Sequence, residues 1–487
     1  MSIEEENEEY FQSQEFRHSL AKYEDALRQG EPIYMEADEL TDIAEYYMTR
    51  EREQDADKVI NLALALHPDS VDPQVFLARR QLFVGNTQGA WQISHAIIDQ
   101  EDLEVKYLNA EIFIKEGRYR EAVVYLLSVW RNLDEDRDQF LYDSAAIFMD
   151  YNQWGYSMMW INRLERLYPY YPKTRRMKAE LMVCMGKYDQ AIPLLNEILD
   201  DNPYNQEVWN LLAESQGATE QYAEAIDSAE YVLAIDKENL RALVTKASCL
   251  FHMNQPQEAH LLYQKYLQKN PDDTNVLYLD TVCLASAEQY DEALKVVTHA
   301  LETCSDDTPQ YVHILVEKAY VESKLHLTEQ AVNSLTLAES IHVDNLDCEF
   351  SLLQGQILLE NGMYDRAVKC FVEALHATDD KRNTLMMIAI AHGECERYSD
   401  AVEMMLTIQN SFPDEAGTPS PIPYLAYYYY MMNEAKSCLT YLKQAVRVDR
   451  LTTEQLFSQL FPGVTPEDYY LYIYRNFYGC FPDVDDM

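Results

Sequence analysis

A spacing of 34 residues recurs through the middle of the chain and limits its fold more than any other feature. Ala179 and Ala191 stand twelve residues apart, with Tyr188 between them. Equivalent small and aromatic residues return at the same interval: Ala213, Tyr222 and Ala225, then Ala247 and Ala259, then Tyr290 and Ala293. A fixed period of this length predicts an array of structural repeats, in which each unit stacks on the next.

The composition indicates that these repeats are helical. The 487 residues include only 13 Gly and 17 Pro, which is too little turn-forming material for a protein of many short strands. Small residues spaced along a helix also allow a second helix to approach closely. We therefore predict an all-α fold, a right-handed superhelical α–α solenoid of about twelve helical hairpins with N- and C-terminal capping helices.

The positions of proline and glycine predict how the chain is divided into segments. A proline-rich break holds four Pro and one Gly in twelve residues, so it cannot be helical throughout, and we interpret it as a hinge or a long loop. The predicted segments are an acidic tail and capping helix at 1–36, about eleven repeats at 37–411, the break at 412–423, a last repeat at 424–450, and a tyrosine-rich capping helix with an acidic end at 451–487.

The charge and the cysteines exclude several classes of protein. A net charge of −44, from 39 basic and 83 acidic residues, repels phosphate backbones, so we expect no nucleic-acid partner. The nine Cys lie at least 21 residues apart, which leaves no closely spaced pair for zinc or redox chemistry. The N-terminus is acidic and no apolar run approaches 18 residues, so we predict a cytoplasmic protein without a membrane partner.

Sequence motifs for catalysis are also missing. The chain contains no GxGxxG or GxxxxGK[ST] phosphate loop, no HExxH zinc motif and no GxSxG nucleophile elbow. We therefore predict no catalytic residue, no metal, no cofactor and no enzymatic activity. An enzyme with an active site that these motifs do not detect remains the alternative.

The repeat pattern resembles that of tetratricopeptide repeat proteins, in particular long bacterial members with many repeats. The resemblance covers roughly residues 37–450 and implies a scaffold that binds a partner segment in the concave groove of the superhelix. A regulatory sensor that binds a short peptide or signal is the alternative. Repeat six carries the pattern best, with Trp209, Leu212, Ala213, Tyr222, Ala225 and Val232, and repeat five adds Tyr188, Ala191, Leu195, Ile198 and Pro203.

A basic island in this acidic chain indicates where a partner binds. Within six residues it contains Lys173, Arg175, Arg176 and Lys178, at the start of repeat five. In the family the groove is lined by set positions of each repeat, which the resemblance carries over to Lys173 and Arg176, to Glu207, Asn210 and Glu214, and to Arg241, Thr245 and Ser248.

From this lining we predict a protein or peptide partner with an acidic segment, bound by Lys173, Arg176, Asn210 and Arg241. The alternative is that Glu180, Glu207 and Glu214 neutralise the basic side chains by ion pairing. We expect a monomer, or a weak dimer formed through the tyrosine-rich helix predicted at Tyr469 to Tyr478.

Overall fold

The computed structural model describes residues 10–30, 32–306, 308–341, 347–412 and 418–481, and within these ranges the regular elements are helices, without a strand. This confirms the predicted all-α repeat solenoid. The two acidic ends and the centre of the proline-rich break lie outside the described residues. The chain divides into two compact halves, Met1–Thr245 and Lys246–Met487, which we call the N-terminal and C-terminal halves.

In the described part of the N-terminal half, helix α1 (Gln14–Gln29) precedes a series of helical hairpins. Hairpins one to six are α2 (Ala37–Thr49) with α3 (Glu53–Leu66), α4 (Val71–Phe83) with α5 (Thr87–Ala96), α6 (Leu103–Lys115) with α7 (Tyr119–Asn132), α8 (Arg137–Asp150) with α9 (Trp154–Leu167), α10 (Thr174–Cys184) with α11 (Tyr188–Asp201), and α12 (Gln206–Ala218) with α13 (Tyr222–Ile235).

The division between the halves falls within α14 (Leu240–His252), the first helix of hairpin seven, and the hairpins then continue to the twelfth. The remaining helices are α15 (Pro256–Leu267), α16 (Thr274–Ser286), α17 (Tyr290–Thr303), α18 (Pro309–Lys324), α19 (Thr328–Ile341), α20 (Asp347–Glu360), α21 (Tyr364–Ala377), α22 (Lys381–Glu394), α23 (Tyr398–Ser411), α24 (Ile422–Met431), α25 (Ala435–Val448), α26 (Arg450–Phe457) and α27 (Tyr469–Tyr478).

The small residues that define the repeat are buried where the two helices of a hairpin cross. Ala213 and Ala225 of hairpin six both have no exposed surface. In hairpin four the Ser157 hydroxyl donates a hydrogen bond of 2.6 Å to the Ala145 carbonyl, which shows that residues twelve apart meet across the hairpin. A small side chain at each position lets the helix backbones approach closely, and a stacked hairpin then buries apolar surface against its neighbour.

Every hairpin turns through one residue in the left-handed backbone region. In hairpin five the residue is Gly186, and the following Lys187 N–H donates to the Met182 carbonyl at 2.8 Å, which closes the end of α10. The corresponding residues are Glu51, Gly85, Gly117, Asn152, Gly186, Glu220, Asn254, Glu288, His326, Gly362, Glu396 and Asn433. The glutamates show that this turn is imposed by hairpin packing even where no glycine favours it.

Helices beyond the repeats cover both described ends of the array. At the N-terminal end, Phe16 and Tyr23 of α1 are buried in one cluster with Ile43 and Tyr47 of α2. At the C-terminal end, α27 contributes Tyr469 and Ile473 to a cluster with residues of hairpin twelve, including Ala426, Cys438 and Leu442. These contacts cover apolar surface that the terminal hairpins would otherwise expose.

The region after the proline-rich break differs in two details from the predicted segments. Helix α24 begins at Ile422, inside the range predicted as the break, because Pro423 fits the first turn of a helix, where its missing N–H removes no hydrogen bond. Helix α26 was not predicted. Its Phe457 is fully buried between hairpin twelve and α27.

Candidate interaction surface in the N-terminal half

The basic island lies at the start of α10, and two of its side chains form exposed ion pairs with neighbouring helices. Arg175 Nη1 lies 2.9 Å from Asp201 Oδ2 of α11, with the two side chains 51% and 76% exposed. Lys178 Nζ lies 2.7 Å from Glu165 Oε2 of α9, with the two side chains 23% and 49% exposed. Exposed pairs of this kind contribute only about 0–1 kcal/mol, so solvent or another carboxylate exchanges with them readily.

The other two basic residues of the island have different partners. Arg176 Nε donates to Glu180 Oε1 at 2.8 Å, and these side chains are only 18% and 10% exposed. The Lys173 ammonium lies 5.4 Å from the centre of the Tyr142 ring, a cation–π geometry. The ion pairing proposed as the alternative is therefore present at Arg176.

Arg241 forms the corresponding ion pairs at the start of α14. Its guanidinium contacts both carboxylate oxygens of Glu214, with Nη2 donating to Oε2 at 2.7 Å, and it lies 3.6 Å from Glu207 Oε2. The Arg241 side chain remains 43% exposed. Both carboxylates named in the alternative thus contact this arginine, from residues 27 and 34 positions earlier in the chain.

Asn210 occupies a different environment from the three basic residues predicted with it. It is 1% exposed, and its Oδ1 has no hydrogen-bond partner among the described residues. A side chain this deep in α12 does not offer its amide to solvent. The predicted set therefore consists of three basic side chains, of which Arg241 is 43% and Arg176 only 18% exposed, and one buried amide.

A cavity of about 760 Å³ lies beside the basic island. Its wall is built from the end of α9, the loop that follows it, the start of α10 and the last two turns of α11. It gathers the whole basic island, together with Tyr170, Tyr171, Leu194 and Ile198, whereas Asn210 and Arg241 are not part of its lining. We refer to it as the α9–α11 cavity.

A second charged group, which the sequence analysis did not identify, runs along the first helices of hairpins one to three. Arg79 Nη2 lies 2.8 Å from Glu111 Oε1 and 3.0 Å from Glu104 Oε2. Burial raises the pKa of the neighbouring Glu45 to about 7; Arg79 opposes this rise, and Asp42 and Glu104 add to it. Glu45, Arg79 and Glu111 stand 34 and 32 residues apart, so the repeat period was a signal that they belong together.

We expect Glu45→Gln to raise the free energy of unfolding by about 2 kcal/mol at pH 8 and to change it little at pH 4. The pKa of Glu45 in the folded state lies above its ordinary value of 4.5, so the folded protein loses stability as pH rises from 4.5 towards 7 and the carboxylate ionises. Such a shift represents about 3 kcal/mol, which we reduce because the side chain is only partly buried.

Urea unfolding of both proteins at the two pH values measures this difference. Glu15→Gln, at an exposed position of α1, is the control for the loss of one surface carboxylate. An equal effect of Glu45→Gln at pH 4 and pH 8 would contradict the assigned cause.

The described ranges also bear on metal binding and on membrane insertion. No group of three or more His, Cys, Asp and Glu side chains there is placed to hold a metal ion. Within the same ranges, no helix has the length and apolar character that crossing a membrane requires.

Comparison with known proteins identifies the repeats. A family model described as Tetratricopeptide repeat matches residues 160–215, and one described as Anaphase-promoting complex, cyclosome, subunit 3 matches residues 218–300. The chain is 21% identical over 371 residues to TPR repeat-containing protein YpiA of Bacillus subtilis, an alignment that covers 73% of this chain and 84% of that protein.

Two other similarities are more partial. The mouse N-alpha-acetyltransferase 16, NatA auxiliary subunit, is 22% identical over 205 residues, which cover 41% of this chain but only 23% of the mouse protein. A solved tetratricopeptide repeat protein from Parabacteroides merdae superimposes with a TM-score of 0.40 at 14% identity, over 52% of this chain and 98% of its own. The two family models, over residues 160–215 and 218–300, and the helical hairpins of the described residues together support a tetratricopeptide repeat protein.

Proposed function

We propose that this protein is a protein-interaction scaffold that holds an acidic segment of a protein partner along the first helices of repeats five to seven. The observation that carries the proposal is the concentration of Lys173, Arg175, Arg176 and Lys178 at one helix start, in a chain of net charge −44. Tetratricopeptide repeat proteins are generally non-enzymatic scaffolds. Two of the matched descriptions name a complex subunit and an auxiliary subunit, which fits the same role.

The ion pairs of the lining are compatible with partner binding where they are exposed. Arg241 is 43% exposed, so a partner carboxylate displaces Glu207 or Glu214 at a cost of about 0–1 kcal/mol. Lys173 lies over the Tyr142 ring, and its ammonium group is also of the kind that pairs with a carboxylate. Arg176 is proposed as a contact at the edge of the lining, where its side chain is 18% exposed, whereas Asn210 is buried and contributes through the packing of α12.

Affinity capture with a charge-reversed variant tests this function. We expect Lys173→Glu combined with Arg241→Glu to lose at least about tenfold of the partner that the wild-type protein captures, which corresponds to about 1.4 kcal/mol. Added salt should weaken the wild-type complex, because the recognised charges are screened. Arg176 is left unchanged, because removing its ion pair with Glu180 would destabilise the fold and obscure any effect on binding.

The matched control is Lys58→Glu combined with Arg118→Glu, which changes the net charge equally. Its residues are exposed on hairpins one and three, and the Arg118 side chain is 43% exposed, as is that of Arg241. Quantitative mass spectrometry of the captured proteins compares the two variants. If both variants and the wild type capture the same proteins in the same amount, repeats five to seven do not bind the partner.

A further inference from the structure

We propose that the α9–α11 cavity is a docking pocket for an acidic peptide segment that carries one large apolar side chain. This inference rests on the proposed scaffold function and names the chemistry of the segment that the scaffold recognises. The cavity opens between helices of repeats four and five, so it adds a pocket to the row of lining residues along the first helices. Three features of its wall support the assignment.

The first feature is an apolar and aromatic wall of suitable size. Leu194 and Ile198 of α11 line one side, and Tyr170 and Tyr171 belong to the loop opposite. Tyr170 is 95% exposed, so a large ring stands in water with nothing covering it. A volume of about 760 Å³ falls within the usual range of ligand pockets. A tyrosine ring can contact an apolar side chain with its face while its hydroxyl stays in water.

The second feature is a reversal of charge relative to the rest of the chain. The lining holds four basic residues and three acidic ones, whereas the chain as a whole has 39 basic and 83 acidic residues. Arg175 pairs with Asp201, with both side chains exposed, and Lys178, which is 23% exposed, pairs with the exposed Glu165. A carboxylate of the ligand replaces these partners at little cost, because an exposed pair is worth about 0–1 kcal/mol.

The third feature is an unsatisfied polar group at the start of α10. Thr174 is 6% exposed and lines the cavity, and its hydroxyl has no hydrogen-bond partner among the described residues. The same helix start has no capping side chain and no acidic residue in its first turn. A carboxylate bound there accepts hydrogen bonds from these donors and interacts favourably with the helix dipole.

These features favour a peptide over a phosphate polymer. Glu165, Glu197 and Asp201 lie in the same wall, and with a net charge of −44 they oppose a ligand with one negative charge per nucleotide. A short segment that alternates carboxylates with an apolar side chain meets both the basic and the apolar parts of the wall.

Fluorescence anisotropy with two synthetic peptides tests the pocket. The acidic probe is a fluorescein-labelled Ser-Asp-Ser-Phe-Ser-Glu-Ser, and its neutral counterpart has Asn and Gln in place of Asp and Glu. We expect the wild-type protein to bind the acidic probe in preference to the neutral one, with an affinity that falls as salt is added. Arg175→Gln combined with Lys178→Gln should weaken binding by at least about tenfold, or about 1.4 kcal/mol.

Two further variants separate recognition from folding. Thr174→Val should weaken probe binding several-fold without lowering the melting temperature, because the hydroxyl it removes has no partner in the free protein. Lys58→Gln combined with Arg118→Gln, the matched surface change, should bind as the wild type does. Equal binding of the two probes, or an unchanged affinity in the Arg175 and Lys178 variant, overturns the pocket assignment.

The two proposals fail in different ways. If partner capture depends on Lys173 and Arg241 but substitutions at Arg175, Lys178 and Thr174 leave the affinity for the acidic probe unchanged, the scaffold function stands and the pocket assignment is wrong. If the pocket variants weaken binding of the acidic probe but the wild type and the charge-reversed variant capture the partner equally, the pocket assignment stands. The scaffold function in repeats five to seven is then wrong.

Discussion

Replacing Gly355 by leucine should destabilise the C-terminal half by about 3 kcal/mol, at the upper end of what overpacking a core usually costs. Gly355 occupies the small position of α20 in hairpin ten and is buried. A Cβ added there would overlap the ring of Phe371 in α21, which is itself 4% exposed. The two helices must therefore move apart, and the cost is shared with neighbouring hairpins because repeats are stabilised by their interfaces.

Thermal and urea unfolding measure this loss, and Gly155→Leu is the matched control. Gly155 also lies in a helix, but a Cβ there meets nothing within 4 Å, so the same substitution should be neutral or stabilising. Combining Gly355→Ala with Phe371→Leu should recover part of the stability that Gly355→Ala alone loses. An unfolding midpoint for Gly355→Leu equal to that of the wild type would show that α20 and α21 do not cross at this residue.

Replacing Arg176 by alanine should cost about 2–4 kcal/mol, because it leaves the carboxylate of Glu180 buried without its cation. Glu180 is 8% exposed, and Arg176 Nε holds it at 2.8 Å. Arg175→Ala is the control one residue away. Its pair with Asp201 is exposed on both sides, so its loss should cost no more than about 1 kcal/mol.

Adding Glu180→Gln to the Arg176→Ala variant should restore most of the lost stability, because a buried amide carries no charge that needs a cation. Urea unfolding of the single and double variants gives the coupling between the two residues. Equal losses for Arg176→Ala and Arg175→Ala would mean that solvent reaches Glu180 freely. This stability effect is the reason that the test of partner binding leaves Arg176 in place.

How far the sequence predicts the binding surface depends on the residue. The island at Lys173 to Lys178 was visible as four basic residues in six, and the pairing of Arg176 with Glu180 is a contact between residues four apart in one helix. The burial of Asn210 was not predicted, because its repeat position alone indicated a lining residue. The α9–α11 cavity was not predicted either, since it depends on how a loop and three helices meet.

The sequence by itself determined the repeat architecture, because small residues such as Ala213 and Ala225 recur at the spacing at which two helices cross. It also indicated which helices begin with an aromatic residue, as Tyr222 does for α13. Only the tertiary structure decided that Arg241 pairs with Glu207 and Glu214, and that Arg79 joins Glu104 to Glu111. The physical reason is that a periodic pattern specifies the buried face of each helix, whereas contacts between hairpins depend on side-chain reach and on the angle at which neighbouring helices pack.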